Sequence, residues 1–113
     1  MPRGAKFINT PKPPYVAVIF TSLRTEVEEG YDKMNDQTYA EVEKIDGYIG
    51  YENFRNEEGL GVNISYWRDM EAAKNWKMNT LHQKAQTLGK EKWYKYYKIR
   101  ICKVEREYEY TAS

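Results

Sequence analysis

The chain has 113 residues, of which 31% are charged, and its formal net charge is +1. This length suits one domain with a single core, and so balanced a charge gives no reason to expect nucleic acid or an acidic membrane as a partner. The longest uninterrupted apolar run covers residues 16–20, far short of the roughly 20 residues of a membrane-spanning helix, so a cytoplasmic protein is expected.

Local patterns predict an N-terminal arm, a strand and a helix. Residues 1–14 are predicted to form an irregular arm, because they contain prolines and no apolar period. The domain is expected to span residues 15–110, and its first strand is a β-branched and aromatic run at residues 15–22. Residues 26–45 are predicted to be helical, because apolar and small side chains recur at spacings of three and four. These side chains are Val27, Tyr31, Met34, Thr38, Val42 and Ile45.

The second half of the chain predicts a hairpin, a second helix and a last strand. Residues 48–55 and 60–67 have strand character and are separated by a short polar loop that ends in glycine. Asp69 is a candidate cap for a helix that runs to about Leu88. Residues 94–110 complete the set as a long strand with apolar side chains on both faces. The predicted stripe of the second helix consists of Met70, Ala73, Lys77, Leu81, Ala85 and Leu88.

The resulting order, β-α-β-β-α-β, predicts an α+β fold of ferredoxin-like topology. In that arrangement two helices cover one face of a four-stranded antiparallel sheet. The other face would expose an apolar patch of several hundred Å². We therefore expect a homodimer in which this face is covered.

Four segments resemble the antibiotic biosynthesis monooxygenase superfamily. Residues 76–94 (WKMNTLHQKAQTLGKEKWY) are similar to its second helix and following turn, and residues 98–106 (KIRICKVER) to its last strand. Residues 47–52 (GYIGYE) and 65–67 (SYW) are similar to its second and third strands. The resemblance implies a dimeric α+β barrel, with a pocket in each protomer between its own sheet and helices.

The resemblance leaves the activity open. Characterised members of the family oxidise aromatic polyketides with dioxygen and without a prosthetic group, and a related branch binds and degrades haem. The expected function is therefore that of a cofactor-independent monooxygenase-like protein that binds or oxidises a small aromatic or enolisable molecule. A non-catalytic ligand-binding dimer is the alternative. Haem is less expected, because this chain has Gln86 where the haem branch has its ligand histidine.

The candidate catalytic residues are His82, Asn63 and Trp67. Asn63 and Trp67 lie four apart on the third strand and so share a face with Ser65. In quinone-forming members an asparagine and a tryptophan at this spacing line the pocket, which implies that Asn63 donates to a substrate oxyanion and Trp67 walls the cavity. His82 is the only histidine and a candidate general base. Ordinary core or helix-surface roles for all three are the alternative.

The candidate substrate-binding residues are Trp76, Tyr66 and Arg100. Arg100 could bind an anionic substrate or, as the preferred alternative, a carboxylate at the dimer interface. Residues 90–98 interleave rings with lysines, as single-stranded nucleic-acid platforms do. Because these rings lead into a core strand, no nucleic-acid partner is expected. Cys102 is the only cysteine, which excludes an internal disulfide and a multi-cysteine zinc site.

Overall fold

The computed structural model describes residues 7–112. Its four strands form one antiparallel sheet in the order β2-β3-β1-β4, so the predicted α+β ferredoxin-like fold is confirmed. None of the helices in residues 7–112 is long and apolar enough to cross a membrane. In chain order the elements are β1 (Tyr15–Arg24), α1 (Tyr31–Val42), β2 (Tyr48–Arg55), β3 (Leu60–Trp67), α2 (Met70–Lys77), α3 (Thr80–Leu88), a π-helical turn (Gly89–Trp93) and β4 (Tyr94–Val104).

The register between β1 and β3 decides which side chains face the helices. Val16 lies opposite Trp67, and Phe20 lies opposite Asn63. Residues directly opposite one another in an antiparallel pair project from the same face, and so does every second residue along each strand. Since Trp67 and Val16 belong to the core, this row faces the helices. The buried core cluster contains Val16, Val42, Trp67, Ala72 and Ala73.

The opposite face of the sheet is partly covered by the two ends of the chain. The side chain of Ile8 packs against Gly50 of β2. The carboxylate of Glu107 accepts hydrogen bonds from Thr10 at 2.7 Å and from the Tyr15 hydroxyl at 2.9 Å. Ile8 thus packs on this face and Thr10 contacts the C-terminal segment, while residues 1–6 of the predicted arm are outside the described residues.

The first helix is shorter than the periodicity predicts. It begins at Tyr31 instead of Glu26, because Gly30 adopts a left-handed conformation with φ of 78° that ends any helix running through it. Val27, which was expected on the buried face, lies before the helix and is 42% exposed. The four-residue spacing between Val27 and Tyr31 therefore arose by chance, because Val27 lies in the non-helical segment before α1.

The predicted second helix is two helices. Asp69 caps α2 by accepting a hydrogen bond from the Ala72 amide at 2.9 Å, as expected. The helix then stops, and the side chain of Asn79 accepts from the His82 amide at 3.1 Å to cap α3. A capping asparagine thus overrides the apolar stripe that suggested one continuous helix. The last strand is also shorter than predicted, since β4 ends at Val104 instead of Tyr110.

The junction between α1 and β2 yields a test of the packing. Gly47 has φ of 88°, and a Cβ there would lie 2.6 Å from the Cβ of the buried Ala72. Gly47→Ala should lower the free energy of unfolding by about 2–4 kcal/mol, through a left-handed alanine and an overpacked core. Gly30→Ala is the control, because its Cβ would meet only Trp93 at 3.5 Å. Urea denaturation giving equal losses for both variants would contradict the proposed clash.

Candidate functional site

A cavity of about 360 Å³ lies between the helix-facing side of the sheet and the helices. This volume is within the range of small-molecule sites in proteins. Tyrosine and asparagine side chains dominate its walls, and exposed Asn53 and Arg55 of the edge strand β2 lie at its mouth. The lining includes Tyr31, Asn35, Thr38, Tyr39, Tyr48, Tyr51, Asn63, Ser65, Trp76, His82 and Tyr94.

A second lobe of about 110 Å³ adjoins the first. The π-helical turn after α3 contributes the buried Trp93, whose Nε1 donates to the Glu29 carbonyl at 3.1 Å. Phe20, Met34 and Tyr97 also line this lobe. Both lobes share His82, so the imidazole lies at their junction.

Three stacked rings connect the core to the cavity. Trp67 is fully buried, and its ring centroid lies 6.3 Å from that of Trp76. Trp76 in turn stacks on the His82 imidazole, with centroids 4.5 Å apart and planes 8° from parallel. Six residues correspond to about 240° of rotation in a continuous helix, so these rings would diverge without the break at Asn79. The break folds His82 back onto Trp76.

The imidazole of His82 has a defined tautomer. Its Nδ1 lies 3.0 Å from the carbonyl oxygen of Trp76. Because a carbonyl can only accept, Nδ1 carries the proton and Nε2 keeps its lone pair. Burial lowers the pKa of His82, and the hydrogen bond to the Trp76 carbonyl opposes that shift only in part. His82 is therefore neutral at pH 7 and has a proton-accepting nitrogen.

Two amides converge on one phenol at the sheet side of the cavity. The Tyr39 hydroxyl oxygen accepts from Asn53 Nδ2 at 2.9 Å and from Asn63 Nδ2 at 3.4 Å. The Tyr39 ring stacks on Tyr51 with centroids 4.4 Å apart. Burial raises the pKa of Tyr39, so it stays protonated at neutral pH. Since the oxygen serves as the acceptor in both bonds, its own proton is the donor that this network can offer to a ligand.

The structure brings only some of the predicted site residues together. Asn63, Trp76 and His82 line the cavity, whereas Trp67, which was expected to wall it, is fully buried beneath Trp76. Tyr66 projects from the opposite face, where its hydroxyl donates to Glu52 at 2.6 Å and its ring packs against Tyr15.

Arg100 lies opposite Ile19 in the register, and is exposed on that same face. Neither Tyr66 nor Arg100 lines the cavity, so their expected role in binding a substrate there does not fit the geometry. Strand alternation from Trp67 already places Tyr66 on the other face, and the sequence-based choice of Tyr66 overlooked it.

Sequence reasoning also missed several lining residues. Tyr39, Asn53 and Tyr94 were not singled out, although they lie on predicted elements. For Tyr39 and Tyr94 the only sequence signal was the high tyrosine content, with 11 tyrosines in 113 residues. Asn53 had no such signal, since cross-element contacts are not visible in a local pattern. Within residues 7–112, no group of three His, Cys, Asp or Glu side chains is arranged to hold a metal ion.

Comparisons with known proteins agree with this architecture. The model of the antibiotic biosynthesis monooxygenase family matches residues 14–88. The Bacillus subtilis protein YqjZ, which is uncharacterised, is 38% identical over 98 residues, covering 87% of this chain and 86% of its own length.

Solved structures match at lower identity. SnoaB, a cofactor-independent oxygenase from Streptomyces nogalater, superposes with a TM-score of 0.71 at 12% identity, over 84% of this chain and 97% of SnoaB. PA3566 from Pseudomonas aeruginosa superposes with a TM-score of 0.65 at 16% identity, over 88% of this chain and all of PA3566. At such identities these matches show the fold.

The environment of His82 predicts a pH-dependent stability. Its folded pKa is lowered, so below the unfolded pKa of about 6.5 the unfolded state binds more protons. The stabilisation by neutral His82 should be complete above that pH and decline as pH falls through the folded pKa. The His82→Gln variant has no imidazole at this position, so its stability lacks this pH-dependent contribution. Urea melts of both proteins between pH 7.5 and 5 should therefore show a stability difference that shrinks as the pH falls, and a constant difference would contradict a partly buried, neutral imidazole.

Proposed function

Because the chain belongs to the antibiotic biosynthesis monooxygenase family, we propose that it oxidises a small aromatic or enolisable molecule with dioxygen, without a bound cofactor. The observation that carries the proposal is the neutral His82 imidazole at the junction of the two lobes, with Nε2 as a proton acceptor. The common fold with SnoaB, a cofactor-independent oxygenase, supports the same class of chemistry.

In the proposed reaction His82 acts as the general base. Nε2 takes a proton from an acidic hydroxyl or from a C–H group next to a carbonyl. The resulting oxyanion accepts a hydrogen bond from the Tyr39 hydroxyl, and Asn63 holds that hydroxyl in place. Aromatic walls formed by the half-buried Trp76 and Tyr48 would surround the anion.

The anion then reacts with dioxygen. It transfers one electron to dioxygen, and the two radicals combine to form a C–O bond. The proton held by His82 passes to the peroxide, the O–O bond breaks, and water leaves with the second hydrogen of the carbon. A CH₂ group and O₂ thus become C=O and H₂O, with the substrate as the sole electron donor.

An oxygen electrode tests this reaction. Wild-type protein should consume dioxygen with at least one member of a panel of naphthols and 1,3-diketones, forming one carbonyl product per O₂. His82→Gln should reduce the rate by about 10²- to 10⁴-fold, the usual contribution of a general base. Gln83→Ala, an exposed change on the same helix, is the control. Probe binding without oxygen consumption would instead favour a non-catalytic ligand-binding protein.

Haem is not part of the proposal. Gln86, at the position of the histidine in the haem-degrading branch, lines the second lobe. An amide side chain is not among the axial ligands of haem proteins. His82 lies one helical turn earlier, where it serves proton transfer in the proposed reaction.

We also propose that the protein is a dimer that covers the sheet face opposite the helices. Half-buried Ile19, Ile64 and Cys102 lie on that face, and Phe54 is 73% exposed there. Light scattering should give a dimeric mass at micromolar concentration, and Ile64→Lys should shift it to the monomer because it buries a charge in the interface. Gln83→Lys on a helix surface should leave the mass unchanged. A monodisperse wild-type monomer would refute the dimer.

A further inference from the structure

Arg55 occupies an unusual position at the mouth of the cavity. It ends β2 on the helix-facing side, and its register partner on β3 is Gly61. A Cβ built on Gly61 would lie 2.7 Å from the Arg55 Cζ atom. The glycine therefore makes room for the guanidinium group to lie across β3.

Hydrogen bonds fix the orientation of that group. Arg55 Nη1 donates to the Gly59 carbonyl at 2.6 Å, and Nη2 donates to the Ser22 Oγ at 2.8 Å. Ser22 is completely buried, so the hydrogen bond to its hydroxyl is shielded from water. The Nε–H and the second Nη2 hydrogen make no hydrogen bond within residues 7–112. Two donors of a held guanidinium thus remain available.

Arg55 forms no ion pair with the described residues, because no carboxylate among them lies within ion-pair distance of it. Among the described residues that line the cavity, Arg55 alone carries a permanent charge, and aspartate and glutamate are absent from that set. Its charge also acts on Tyr94 deeper in the cavity, where Arg55 and Arg24 oppose the rise in the Tyr94 pKa that burial causes. The cavity lining therefore has a net positive charge, located at Arg55, while Glu57 and Glu58 of the β2–β3 loop lie beside Arg55 in a separate surface depression.

Arg55 and the ring stack lie at opposite ends of one row of side chains. The row runs along β3 from Gly61 through Asn63 and Ser65 to Trp67, on which Trp76 packs. At about 3.3 Å per residue this row spans about 20 Å. A small ligand bound to the guanidinium would have its rings over Asn53, Asn63 and Tyr39, and only a longer ligand would also reach Trp76 and His82.

We propose that Arg55 is a specificity-determining residue that binds a carboxylate group on the aromatic ligand of this cavity. The inference rests on the proposed function only in that the cavity holds a ligand, and it does not require oxidation. A guanidinium with two available donors matches the geometry of a carboxylate and forms charge-assisted hydrogen bonds with it. Because Arg55 is exposed, solvent screens part of this attraction, so a moderate preference for anions is expected.

A purely structural role is the competing explanation. Arg55 also ties the β2–β3 hairpin to β1 through Ser22, so its loss would change stability in either case. Only a binding role predicts that the loss discriminates between a charged ligand and a neutral one of the same shape.

The test compares 2-naphthoate with 2-naphthamide, which differ in charge but hardly in shape. Titration calorimetry at pH 7.5 should show wild-type protein binding naphthoate about 10-fold more tightly, and added salt should reduce that preference. Arg55→Gln should abolish the preference while leaving naphthamide affinity within about 2-fold. Arg55→Lys keeps the positive charge but lacks the paired donors of a guanidinium, so it should retain part of the preference for naphthoate. Arg106→Gln, the same change on the exposed C-terminal segment, is the control.

Each outcome decides the proposal. Equal affinities of wild-type protein for both probes, or an unchanged preference in Arg55→Gln, would overturn the role of Arg55 while leaving a ligand-binding cavity. Failure of both probes to bind would overturn the cavity and this inference together. A preference for naphthoate without any oxygen consumption would support Arg55 and refute the oxidation. If Arg55→Gln does not fold, an undiminished preference in Arg55→Lys together with no salt dependence would overturn the proposal.

Discussion

The break between α2 and α3 is the feature on which the candidate site depends. Asn79 uses its side chain to cap α3 and so ends the helix that the apolar stripe would otherwise continue. The chain then turns back, and His82 stacks on Trp76 and binds its carbonyl through Nδ1. The cap thereby sets the position of the imidazole, the Trp76 carbonyl selects its tautomer, and burial keeps it neutral.

The cavity exists because the helix-facing side of the sheet is not filled with apolar side chains. Asn63 and Ser65 occupy positions in the same row as buried Trp67, where large aliphatic residues would pack more favourably. Their polar groups are satisfied locally: Ser65 accepts from Trp67 Nε1 and Asn63 donates to Tyr39. Polar side chains at positions that would normally be apolar, with their hydrogen bonds satisfied, are expected at functional sites.

The sequence predicted the order of elements well, because strand alternation and helical spacing are local properties. The hairpin bounds, residues 48–55 and 60–67, were predicted as observed. The prediction failed where a short-range polar contact overrode the apolar pattern, as at Asn79. It also could not find Arg55, since the space that Gly61 provides depends on cross-strand register. The choice of Tyr66 neglected alternation that the sequence did contain.

A fixed cation and a neutral base in one cavity have a consequence for the proposed chemistry. A carboxylate ligand would pair with Arg55, so the occupied cavity would start with no net charge. When this carboxylate ligand then transfers a proton to His82, an imidazolium forms and the ligand gains a second negative charge. Coulomb attraction between the imidazolium and the new anion is strong in a partly buried site. Because the guanidinium is exposed and lies at the other end of the β3 row from the ring stack, solvent screens its effect on this charge separation. The role of Arg55 would thus be to hold the ligand, while the Tyr39 hydroxyl would stabilise the oxyanion that precedes electron transfer to dioxygen.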